Sequence, residues 1–64
     1  MKRVEFGKVW NVTTVEEYKN AMQTLEENLF VARMSDDYTR EWEETNEIEA
    51  QRYAILKQVA AWEV

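Results

Sequence analysis

The stretch Thr13-Thr14-Val15-Glu16-Glu17-Tyr18, carried on to Ala32, decides the fold. Either threonine can accept a hydrogen bond from a free N–H of a first helical turn. Glu16 or Glu17, three positions on, can reach back, which is the reciprocal pattern of a capping box. Val12 stands where it can staple against that turn. Val15, Tyr18, Met22, Leu25, Leu29 and Ala32 then recur at spacings of three and four, the period that lines one face of an α-helix. Lys19, Asn20, Gln23, Glu26 and Glu27 fall on the opposite face. Acids in the first turn and Arg33 in the last suit the helix dipole. The spacing predicts a helix over 14–33.

Toward the C-terminus, Ser35 followed by Asp36 and Asp37 reads as a second N-cap. Ile48, Arg52, Ile55, Val59 and Trp62 repeat at helical spacing, and Tyr53, Leu56 and Ala60 widen that face. Tyr38 and Trp42 stay roughly in phase with it. Thr45 or Asn46, the latter with Glu49 three residues on, offers a separate cap, so 36–63 reads either as two helices jointed near 45 or, the preferred reading, as one helix with a weak point there. Toward the N-terminus, Val4, Phe6, Val9, Trp10 and Val12 alternate loosely around Gly7, the sole glycine of a chain without proline. With no second strand to pair with, residues 1–12 read as an extended arm. The expected class is all-α: one small domain over 1–64, a helical hairpin at 13–64 carrying an extended N-terminal arm.

A chain of 64 residues buries only about 60% of its unfolded surface and is marginal without a supplement. Cysteine and histidine are both absent, so disulfides, thiolate metal sites, the commonest metal ligand and the commonest general base are excluded together. Association is the remaining supplement. A two-helix hairpin has two apolar faces and one internal contact, so a homodimer is expected, with Ile48, Ile55, Val59 and Trp62 on the seam against Met22, Leu25 and Leu29. Hydrophobic residues make up 45% of the chain, with three tryptophans and three tyrosines, which argues against disorder despite the charge.

The net charge of −5 is local in origin. Residues 35–49 hold seven carboxylates (Asp36, Asp37, Glu41, Glu43, Glu44, Glu47, Glu49) against Arg40 alone, with Tyr38, Trp42 and Ile48 threaded between them. Such a run is usually a solvated helix face. A local acidic face that also carries aromatics suits a basic protein partner, and Tyr38, Glu41, Trp42, Glu44 and Glu49 are the candidate contacts. The adjacent pairs Glu26/Glu27, Asp36/Asp37 and Glu43/Glu44 diverge around a helix and do not converge on one substrate atom. No phosphate cradle, calcium loop or Glu-x-x-His di-metal set can be assembled, so neither an enzyme nor a metal or cofactor site is expected. Lys2, Arg3 and Lys8 are too few for a nucleic-acid footprint. No apolar run approaches the ~20 residues of a bilayer span, and the basic start lacks the apolar region of a signal peptide, so a cytoplasmic location is expected.

Trp10-Asn11-Val12-Thr13-Thr14-Val15-Glu16-Glu17-Tyr18, followed by Ala21-Met22 and Leu25-Glu26-Glu27, resembles the opening of HigA-type antitoxins. Ile55 to Glu63 resembles the second helix of that family, which closes on an aromatic–Glu pair. The resemblance implies an all-helical domain that neutralises a HigB-type toxin, a small basic ribonuclease that cleaves mRNA at the ribosome. In that family a DNA-binding helix-turn-helix domain follows, so the resemblance also implies a fragment, a truncated form or a stand-alone relative. Residues 35–47 depart from the family in being longer and more acidic. Two further readings of the residues stand beside it: a phage-type acidic inhibitor that mimics nucleic acid, and a self-associating structural hairpin.

Overall fold

The computed structural model describes residues 2–62. Two helices, α1 (Val15–Arg33) and α2 (Tyr38–Ala60), pack as a hairpin, and residues 2–13 carry neither helix nor strand. The molecule is elongated, 44 × 18 × 14 Å. Its class is all-α, as the periodicity predicts. Residue 63, where the spacing would end the second helix, lies outside the described residues.

Both helix starts follow from local chemistry. Thr14 is the N-cap of α1 and its hydroxyl accepts from the Glu17 N–H at 3.1 Å. Glu17 closes the box by accepting from the Thr13 N–H at 2.8 Å and from the Thr13 hydroxyl at 2.9 Å. These bonds hold the Glu17 carboxyl below its ordinary range, the backbone N–H of Thr13 contributing most. The second helix begins later than the sequence suggests. Ser35 caps no helix; its hydroxyl accepts from the Asp37 N–H at 3.2 Å and closes a short turn. Asp37 is the N-cap, its carboxylate accepting from the N–H groups of Thr39 and Arg40. From Tyr38 the helix runs unbroken through 45 and 46, because no residue there removes an N–H or demands a positive φ.

Leu25, Ile48 and Ile55 are the large side chains at the centre of the core, each fully buried. Ala21 and Ala32 are buried beside them, and their small size lets the helices approach closely. The buried face of α1 is thus Ala21, Leu25, Asn28 and Ala32, turned slightly from the Val15–Met22–Leu29 line of the sequence reading. Val15 is exposed, and Met22 and Leu29 are half-buried. On α2, Tyr53 and Leu56 also lie exposed although they widen the apolar stripe. The Lys57 ammonium stands 5.6 Å from the centre of the Tyr53 ring.

The arm is the third layer of the core. Val4 and Val12 are buried and join the cluster formed by the helices, with Trp10 packed against it. Its contacts progress from Glu44 at Arg3 to Gln58 and Trp62 at Val12, so it runs along α2 from N- to C-terminal end. Midway it turns: the Lys8 N–H donates to the Glu5 carbonyl at 3.3 Å across Gly7, whose φ of +79° is open to glycine at little cost. Ile48 and Ile55, two residues of the expected self-association seam, lie beneath this layer. Both are fully buried inside one chain, in the cluster that Val4 and Val12 of the arm share with the helices. Of the other seam residues, Val59 is half-buried against the core and Trp62 is 37% exposed, its indole N–H donating to the Val12 carbonyl at 3.3 Å.

Candidate functional site

The acidic block divides into an inner part that holds the arm and an outer part that faces solvent. Glu44, one of the expected partner contacts, belongs to the inner part. It is 3% exposed, and both of its carboxylate oxygens accept from the Arg3 guanidinium, at 2.8 and 2.9 Å. Arg40, one helical turn before it, adds a longer bond at 3.4 Å. A carboxylate engaged at both oxygens and buried in this way is withdrawn from an outside partner. Asn28 matches it on α1, donating to the Lys2 carbonyl at 2.8 Å.

The next two turns of α2 continue the clasp. Gln51, 4% exposed, donates to the Glu5 carbonyl at 2.6 Å and to Glu47 at 2.7 Å, and accepts from the Trp10 indole at 2.8 Å. Glu47 also accepts from the Gly7 N–H at 3.0 Å. Gln58 grips one stretch of extended chain from both sides, accepting from the Val12 N–H at 2.7 Å and donating to the Trp10 carbonyl at 2.6 Å. Glu44, Glu47, Gln51 and Gln58 therefore form a polar ridge beside the apolar stripe of α2. Among the described residues no buried side-chain polar atom lacks a partner. The role of this ridge is missed from sequence, since Glu and Gln at helical spacing read as a solvated flank. The available signal is that the ridge borders the Ile48/Ile55 line while Val4 and Val12 offer apolar anchors to dock beside it.

The hydrogen bonds to Glu47, first from Gln51 and then from Gly7, hold its carboxyl below its ordinary range. A depressed carboxyl stabilises the folded state above its unfolded value, and that contribution fades as pH falls through the folded one. Acidification below about pH 4 should therefore release the Gly7 N–H while the Val12 N–H, held by neutral Gln58, stays protected. Amide-exchange protection factors of Gly7 and Val12 between pH 6 and 3 check this; equal loss at both sites would contradict it.

The outer part of the block presents a different surface. Tyr38 is 86% exposed and Trp42 66% exposed, one helical turn apart at the start of α2. With Glu41, Thr45 and Asn46 they line an open concavity of about 450 Å³. Asp36, Asp37, Glu43 and Glu49 are exposed in the same block, and Glu41 is half-buried. The one cation of the block, Arg40, bonds to Glu44. Four of the five expected partner contacts, Tyr38, Glu41, Trp42 and Glu49, thus remain at least partly accessible. A second depression of about 320 Å³ lies under the arm, lined by Lys2, Arg3, Lys8, Trp10, Asn28 and Gln51 among others. Arg3, Trp10, Asn28 and Gln51 there are already engaged in fastening the arm.

Among the described residues no cluster of His, Cys, Asp or Glu is arranged to hold a metal ion. No helix of the described residues is long and apolar enough to cross a membrane. No family model matches the chain, and no curated protein or solved structure is significantly similar to it.

Proposed function

We propose that this chain is a protein-binding module that meets a basic protein through the outer face of α2, with Tyr38, Glu41, Trp42 and Glu49 in the contact. The observation that carries the reading is the exposed aromatic pair set in uncompensated negative charge. Large aromatics left in solvent on a 64-residue chain forgo burial that its core would otherwise gain. Such residues anchor interfaces far more often than their numbers suggest. The resemblance of the Trp10–Glu27 stretch to HigA-type antitoxins makes a HigB-type ribonuclease the partner of choice, and its basic surface is what an acidic face would attract.

The test is binding of the intact chain to a HigB-type ribonuclease across a salt series, together with inhibition of RNA cleavage. Exposed charges mainly speed encounter and are screened by salt, so the association rate should fall steeply as salt rises. A triple variant, Glu41→Lys, Glu43→Lys and Glu49→Lys, should lower the association rate and flatten its salt dependence. Fold content should survive, since exposed substitutions such as those at Glu43 and Glu49 usually cost within about 0.5 kcal/mol each and Glu41 is only half-buried. Binding that ignores both salt and these reversals would reduce the block to a solvated face.

A further inference from the structure

The six tryptophans and tyrosines of this chain are not equivalent. Trp10 donates its indole N–H to Gln51 and carries the Lys8 ammonium 4.2 Å from its ring centre. Tyr53 has the Lys57 ammonium 5.6 Å from its own. Trp62 is tied to the Val12 carbonyl, and Tyr18 packs on the core. Tyr38 and Trp42 have no such engagement among the described residues, although they are two of the most exposed large side chains and sit in the most acidic part of the molecule. An aromatic face attracts a cation through its quadrupole, and surrounding carboxylates strengthen that attraction. The concavity between the two rings is lined besides by Glu41, Thr45 and Asn46, which supply a carboxylate, a hydroxyl and an amide carbonyl as acceptors.

We propose that the Tyr38–Trp42 concavity is a receptor for one arginine side chain of the partner protein, its guanidinium lying on the aromatic faces and its N–H groups donating to Glu41 and Asn46. This inference rests on the reading of the acidic face as a binding surface and specifies what that surface recognises. Arginine fits better than lysine for two reasons. A planar, weakly hydrated guanidinium stacks on an aromatic ring, whereas a compact ammonium holds its water more tightly. The guanidinium also has five donors in a fixed fork, suited to several acceptors spread around one rim, while an ammonium has three. Lysines of the chain itself already stand over the rings of Trp10 and Tyr53, so cation–aromatic pairing is a contact this fold uses elsewhere.

The experiment titrates the intact chain with three short basic peptides identical except at the central residue, which is arginine, lysine or citrulline, the uncharged counterpart of arginine. The readout is the Trp42 indole N–H signal in a nitrogen–proton correlation spectrum, with the Trp10 and Trp62 indoles as internal references. The expected result is a selective shift of Trp42 and of amides from Tyr38 to Asn46, with affinity falling from arginine to lysine to citrulline. Trp42→Leu keeps apolar area but removes the ring's quadrupole, and should weaken the arginine peptide by about fivefold or more. Because Trp42 is largely exposed, that variant should keep its helix content; Tyr38→Leu is the second, independent variant. If binding responds to Glu41→Gln and Glu49→Gln but not to either aromatic substitution, and does not separate arginine from lysine, the receptor is overturned while the acidic binding face stands. If the peptides bind only at the arm, or nowhere on α2, both readings fall.

Discussion

Deleting residues 1–12 should abolish cooperative unfolding of the chain as a monomer. The arm places Val4 and Val12 in the same cluster as Leu25, Ile48 and Ile55, and the last three are fully buried in the intact chain. Burying one valine side chain contributes about 1.5–3 kcal/mol. A domain of this size has only about 3–5 kcal/mol in total, so losing two such anchors and uncovering two isoleucines removes an amount of the same order. The shortened chain should therefore show a broad thermal transition by circular dichroism, with helicity that rises with concentration as copies shield one another. The full chain, whose own arm covers Ile48 and Ile55, should melt sharply at a temperature independent of concentration. A 13–64 fragment that sediments as a monomer and melts sharply at the full-chain temperature would show that the arm is only an appendage.

That expectation runs against the dimer seam drawn from the sequence, and the difference is instructive. Periodicity reports which residues are apolar on one face; it does not report what covers them. The Thr14/Glu17 cap and the two helical segments are legible because each depends on neighbours within four residues, whereas the buried face of α1 is turned from the stripe. The cover over Ile48 is not legible, since it depends on contacts between residues more than forty positions apart, such as Arg3 with Glu44 and Trp10 with Gln51. The same range limit hid the division of the acidic block. Glu41, Glu44, Glu47 and Glu49 look alike in sequence, yet Glu44 is buried on an arginine and Glu47 holds a backbone N–H. Trp42 reads from sequence equally well as core or contact, being in phase with the apolar stripe yet flanked by charge, and it lies 66% exposed. Tyr53 and Leu56 show the opposite error: three packed layers are narrower than the apolar arc available on α2, so its flank is left in solvent.

Gln51→Glu should be the most damaging single isosteric change in the clasp, and its damage should depend on pH. Gln51 makes three hydrogen bonds from a nearly sealed position, two as a donor. An ionised carboxylate there keeps the acceptor for the Trp10 indole but turns lone pairs toward the Glu5 carbonyl and the Glu47 carboxylate. A buried charge left without a partner costs about 3–5 kcal/mol, comparable to the whole stability of the domain. The introduced carboxyl resists ionisation in the folded state, so its folded pKa lies above its unfolded one. Below the unfolded value it is neutral in both states, and one O–H donor still reaches an acceptor. As pH rises through the ordinary carboxylate range, the unfolded chain ionises first and stability falls until the folded value is passed. The native chain behaves in the opposite sense over the same range, because acid removes the contribution of its depressed Glu47. Urea melts should therefore bring the two proteins nearer below about pH 4, the variant still lacking one donor, and separate them widely at pH 7. Gln51→Met, which loses all three bonds without adding charge, should show a deficit that narrows in acid only by the share of the Glu47 depression that Gln51 supplies. If Gln51→Glu is no less stable than Gln51→Met at pH 7, the Gln51 site is wet enough to solvate a carboxylate, and the arm is held by Val4 and Val12 rather than by the polar ridge.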